Sequence, residues 1–221
     1  MAIYGEGRGI AAEAEPFGLL TEGAAGIATI VLGIIALGRL DSGLLASIIT
    51  IIIGVGLMVQ AFNAGAEASR ELDASGTAVA ASARGAELGG EVMINVAAGL
   101  TGIILGILGL VAVNTPHLVT AALIVFGGAL ILSGAVAAQG GTTTATTGSG
   151  TPVQVTHQGS AAMSGLEILV GFAAVILGIL SLILEASWVL PLVGFIAVGA
   201  AMLMVSATFS GAVTRLFTAE A

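Results

Sequence analysis

The chain has 221 residues, 57% hydrophobic and 8% charged, with a mean hydropathy of +1.13. Soluble domains carry roughly 25% charged residues, so lipid is the expected solvent for most of this chain. Thirteen acids against five arginines, with no lysine, give a net charge of −8, which argues against nucleic acid as a partner. The absence of cysteine excludes disulfides and thiolate metal sites. Acidic, lysine-free composition is also a halophile-like feature.

Residues 1–22 hold four Glu and no long apolar run, so they read as an N-terminal interfacial segment rather than a signal peptide. Six apolar runs follow, at about 23–38, 43–62, 95–113, 117–138, 166–184 and 187–208. A span needs roughly 20 residues for a ~30 Å hydrocarbon layer, so the first is short. The runs pair across the tight connections GRLDSG, VNTPH and EAS. Tight connections between long helices imply antiparallel neighbours. The expected architecture is an all-α membrane protein with six transmembrane helices in three tandem helical hairpins.

The hairpins occupy 23–62, 95–138 and 166–210. A polar linker spans 63–94, a Thr/Gly/Ser-rich linker spans 139–165, and a C-terminal tail covers 211–221. Within the first linker, the Ala-rich, mixed-charge stretch 64–90 reads either as an amphipathic surface helix or as a solvated connector. The second reads as a flexible loop.

The hairpins repeat. Gly26, Gly99 and Gly171 stand 73 and 72 residues apart, and the same offsets relate Gly54, Gly127 and Gly199. A pseudo-threefold arrangement about an axis normal to the membrane is expected. On a helix, Gly99, Gly102, Gly106 and Gly109 share one face. The equivalent faces are Gly26, Thr29, Gly33 and Ala36, and Gly171, Ala174, Gly178 and Ser181. Helices in lipid associate through close packing and polar contacts, and small residues let backbones approach. Another helix is therefore expected to lie in each groove, with Gly26, Gly33, Gly99, Gly102, Gly106, Gly109, Gly171 and Gly178 as packing residues. The first helix of each hairpin is expected to line the centre, either as a tight core or around a narrow path.

Residues 99–138, with G-x6-LGIL-x-L, a short Pro-bearing loop and a run ending in small-residue pairs, resemble the hairpin unit of the HdeD-like membrane proteins. Residues 171–210 match it through Leu177-Gly178-Ile179-Leu180 and Gly199, and residues 26–65 more loosely. The resemblance implies a six-span integral membrane protein, linked in enteric bacteria to acid stress, without catalytic residues to carry over.

With six spans, both termini and both long linkers share one side. Arg8, Arg70, Arg84 and Arg215 lie there, and Arg39 lies opposite. The positive-inside rule then puts termini and linkers in the cytoplasm of a cell-membrane protein. No nucleophile, phosphate-loop or zinc motif occurs in a fitting context, so no enzyme and no cofactor is expected. His117, in a short loop, and His157, in the second linker, read as solvated. Glu22, Asn95 and Glu167 are equivalent by the repeat offsets, one turn before the first small residue of each hairpin. They form a candidate polar ring at the cytoplasmic mouth, or else ordinary first-turn and capping residues. The expected function is a non-enzymatic, structural or stress-related membrane role. The alternative is a small channel or permease along the pseudo-threefold axis. The expected partners are the lipid bilayer and a homo-oligomer or larger membrane assembly.

Overall fold

The computed structural model describes the backbone of residues 23–38, 42–75, 78–111, 116–140, 158–184 and 188–218. Side chains are described within 23–38, 42–66, 89–111, 116–138, 164–184 and 188–206. Every described element is a helix: α1 (Gly23–Leu37), α2 (Ser42–Ser75), α3 (Ala78–Val111), α4 (Pro116–Gly140), α5 (Gln158–Ile183) and α6 (Val189–Thr218). The last five contain the apolar stretches Ser42–Ala66, Gly89–Val111, Pro116–Ala138, Ser164–Ile183 and Val189–Ser206, each long enough to cross a membrane. The described part of α1 is a shorter apolar helix, about 22 Å long at ~1.5 Å per residue. The described residues are therefore all-helical, with the span content of a multi-pass membrane protein.

The first linker is helical, as one of its two sequence readings had it, but not as a separate element. α2 runs on to Ser75, and α3 begins at Ala78, well before its apolar stretch. Most of 63–94 is thus a continuation of two membrane helices, neither a separate surface helix nor coil. Ala, Glu and Arg are good helix formers. Extending an existing helix also avoids the cost of a new nucleus. α6 likewise continues to Thr218, through most of the expected tail. The N-terminal segment 1–22 and residues 141–157 of the second linker lie outside the described residues.

Helix contacts run round a closed circuit. α2 packs on α3, α3 on α4, α4 on α5 and α5 on α6. The Ser42 hydroxyl donates to the Ala36 carbonyl at 3.0 Å, tying α1 to α2. α1 closes the circuit on α6, where Gly26 meets Gly199 and Leu203, and Gly33 meets Ile196. Inside the circuit α2, α4 and α6 touch one another.

This corrects the expectation that α1, α3 and α5 line the centre. The fully buried large side chains come from the even-numbered helices: Ile49, Ile53 and Leu57, Leu123 and Phe126, Leu192, Phe195 and Met202. α1, α3 and α5 instead carry exposed rows, such as Ile27, Val31 and Ile34, Leu100, Ile104 and Ile107, and Phe172, Ile176 and Ile179. The physical reason lies in the two helix types. An amphipathic partition of small and bulky faces suits a peripheral helix, with one side against a neighbour and the other in acyl chains. A helix that is apolar all round suits the interior.

Candidate functional site

The small faces form three seams, α2/α3, α4/α5 and α6/α1, and each is held by backbone against backbone. A Cβ built on Gly54 would lie 2.7 Å from the Gly99 carbonyl oxygen, and one on Gly99 would lie 2.6 Å from that of Gly54. Gly127 and Gly171 repeat this at 2.7 and 2.6 Å. For Gly26 the distance to the Gly199 oxygen is 2.8 Å, and for Gly199 the distance to the Gly26 oxygen is 3.1 Å. Real Cβ atoms do not sit closer than 3.0 Å to such an oxygen, so the backbone leaves no room for a methyl group at five of these positions, and at Gly199 the Thr29 side chain, 2.8 Å away, takes the space.

The grooves continue along each helix. A Cβ on Gly106 would meet Ile51 Cγ1 at 2.5 Å and the Ser47 carbonyl oxygen at 3.0 Å. One on Gly109 would meet Ser47 Oγ at 2.5 Å, and one on Gly178 would meet Ile124 Cγ1 at 2.5 Å. Gly33 receives Ile196 from α6, and Gly102 receives the ring of Phe126 from α4. Thr29, Ala36, Ala174 and Ser181 are buried with them. Bulky residues of one helix thus enter holes left by missing side chains on the next. This is the van der Waals packing that drives association where acyl chains remove any hydrophobic gain.

Hydroxyls inside the bundle are satisfied locally. Ser47 donates to the Gly43 carbonyl at 3.0 Å, Thr50 to Ala46 at 2.8 Å and Thr120 to Pro116 at 2.8 Å. These are bonds to the preceding turn of the same helix. Across the α4/α5 seam, the Thr120 and Ser181 hydroxyls lie 3.4 Å apart. Among the described residues, Thr29 Oγ1 is a buried oxygen with no partner.

Asn95 is buried in α3 and Glu167 is half-buried in α5. Each lies one turn before a glycine seated on a different helix: Gly99 on α2, and Gly171 on α4. Glu167 Cβ is 3.3 Å from where a Cβ of Gly134 in α4 would stand. Because α3 and α5 do not touch, the structure does not bring Asn95 and Glu167 together. Glu22 lies outside the described residues, as does His157. His117 is exposed in the first turn of α4. Among the described residues no group of His, Asp and Glu is placed to hold a metal ion.

The sequence reading missed the central set. Ile53, Phe126 and Val198 are related by the 73- and 72-residue offsets, as are Leu57, Leu130 and Met202, and all are buried. Phe126 and Phe195 meet edge to face, with ring centroids 6.3 Å apart. The available signal was the recurrence of bulky apolar residues at these offsets, on helices whose small-residue stripe is sparser than that of their partners. No family model, characterised protein or solved structure matches the chain.

Proposed function

We propose that the chain is a multi-pass membrane protein of non-enzymatic, structural or stress-related role, built as three tandem helical hairpins with pseudo-threefold symmetry. One observation carries this reading. The same glycine pair, one from the first helix of a hairpin and one from the second helix of its neighbour, meets at all three seams. Fourfold stripes of small residues at matching offsets, filled by matching partners, are what a triplicated hairpin produces. The likeness of residues 99–138 to the HdeD-like unit agrees with this origin and with a role in the membrane itself.

The packed centre favours a structural role over an axial path. Thr50, Leu123 and Phe195 fill one level of it, Ile53, Phe126 and Val198 the next, and Leu57, Leu130 and Met202 a third. Buried side chains of this size on the axis support a filled centre rather than a file of water or ions. Asn95 and Glu167 belong to separate seams under this reading, where a buried polar group serves helix register. Cytoplasmic termini follow from Arg8, Arg70, Arg84 and Arg215, whose side chains lie outside those described.

Purified protein in liposomes tests the reading. It predicts no ion or proton flux above empty liposomes under imposed gradients, for the native chain and for Glu22→Gln with Glu167→Gln alike. Flux that this double substitution abolishes would establish the channel instead. Co-purification with a larger membrane assembly would support the structural role.

A further inference from the structure

The three seams are not equal, and the inequality rests on the proposed ring of hairpins. Two seams, α2/α3 and α4/α5, join helices that follow each other in sequence, so a linker tethers each of them. The third, α6/α1, joins the last helix of the ring to the first and has no direct tether.

That seam also has the longest glycine-to-carbonyl approaches of the three. The glycine-to-carbonyl approaches are 2.7 and 2.6 Å at the two tethered seams, but 3.1 and 2.8 Å at α6/α1. A side chain accounts for the difference. The position held by Gly102 in α3 and Ala174 in α5 is Thr29 in α1. Its Cγ2 and Cβ stand 2.8 and 2.9 Å from where a Cβ of Gly199 would be. Ala174 holds the equivalent place, with its Cβ 3.0 Å from where a Cβ of Gly127 would be, so what Thr29 adds to the groove is a methyl and a hydroxyl.

The Thr29 hydroxyl adds a second defect. Thr50, Thr101 and Thr120 each donate to the carbonyl four residues back, at 2.7 to 2.8 Å. Thr29 Oγ1 is fully buried and bonds to nothing. An unpaired hydroxyl in an apolar site disfavours the closed state. Separating α1 from α6 lets that hydroxyl turn to its own backbone.

We propose that the ring opens at the α6/α1 seam, with α1 swinging away into the bilayer while α2 to α6 stay packed, and that Thr29 is the wedge that poises it. Opening uncovers the α6 face around Gly199 and Ile196 to acyl chains. The fold thus contains a lateral gate with a fixed position.

The cysteine-free chain permits a direct test by paired spin labels in lipid nanodiscs. Three equivalent cysteine pairs are introduced: Met204 with Ile27, Val59 with Leu100, and Leu132 with Phe172. Apart from half-buried Val59 these positions are exposed, so labels do not disturb the seams. The expected result is one narrow, short distance for the two tethered pairs, and a second, longer population for Met204 with Ile27. That longer population is lost in Thr29→Gly and in Thr29→Ala, which copy the other two seams. A single narrow distance at all three seams overturns the gate and leaves the ring intact. A longer population unchanged by both Thr29 variants overturns the wedge. Long distances at the tethered pairs overturn the ring reading itself.

Discussion

The same chemical change, glycine to alanine, should have opposite consequences at Gly99 and Gly128. At Gly99 the new methyl carbon would lie 2.6 Å from the Gly54 oxygen, 2.7 Å from Met58 Cγ and 3.2 Å from the Met58 nitrogen. The Met58 side chain can turn aside, but two of these atoms are backbone in a regular helix and cannot. Restoring ordinary contact requires α2 and α3 to part by about 1 Å, and a gap of that size forfeits a quarter to a half of each atomic attraction along the seam. Overpacking of this kind costs about 1–3 kcal/mol. At Gly128 a Cβ meets nothing within 4 Å. Alanine there adds only helix propensity, worth up to about 1 kcal/mol in water and less in lipid. Thermal unfolding in one detergent should therefore place Gly99→Ala below the native chain and Gly128→Ala level with it or above. Equal stability of the two variants would refute the claim that seam glycines are selected for backbone contact.

Three further outcomes follow from the same contacts. Phe126→Ala removes the ring that fills both the centre and the Gly102 groove. It should cost about 3–5 kcal/mol by analogy with core truncations, read as a fall in unfolding midpoint without any gain of ion flux. A double-mutant cycle with Thr120→Ala and Ser181→Ala should return a coupling of about 0.6 kcal/mol, the average for side-chain hydrogen bonds between membrane helices; a value near zero would place the two hydroxyls apart. Ser42→Ala deletes the bond to the Ala36 carbonyl and should destabilise by about 0.5–1.5 kcal/mol, measured in the same unfolding assay.

Much of this architecture was legible in the sequence because lipid reverses the usual meaning of glycine. In water, Gly99, Gly102, Gly106 and Gly109 would weaken a helix. In a bilayer their common phase marks a groove, and the offsets of 73 and 72 residues supply the equivalents. What the stripe could not reveal was its partner. A small face is equally suited to a central axis and to a neighbour's flank, and the choice depends on the other helices of the set. Here α2, α4 and α6 carry Ile53, Phe126, Phe195 and Met202 inward, which fills the centre and leaves the grooved helices outside. The placement of Asn95 and Glu167 follows from that choice, since helices on the periphery cannot converge at one mouth. At 63–94 a helix was one of the two sequence readings, and what stayed hidden was its continuity with the membrane helices. Its polarity suggested a connector, whereas its Ala, Glu and Arg content simply prolongs the helices that enter it.

Ring closure is the central claim, and one disulfide tests it. A Cβ on Gly23 would stand 3.6 Å from Ser206 Cβ, within the range a disulfide needs. The chain with Gly23→Cys and Ser206→Cys, oxidised in native membranes and digested between α1 and α6, should remain one cross-linked species until reduced. Two separate fragments under oxidising conditions, or cross-links only between chains, would contradict a bundle in which the first helix packs against the last.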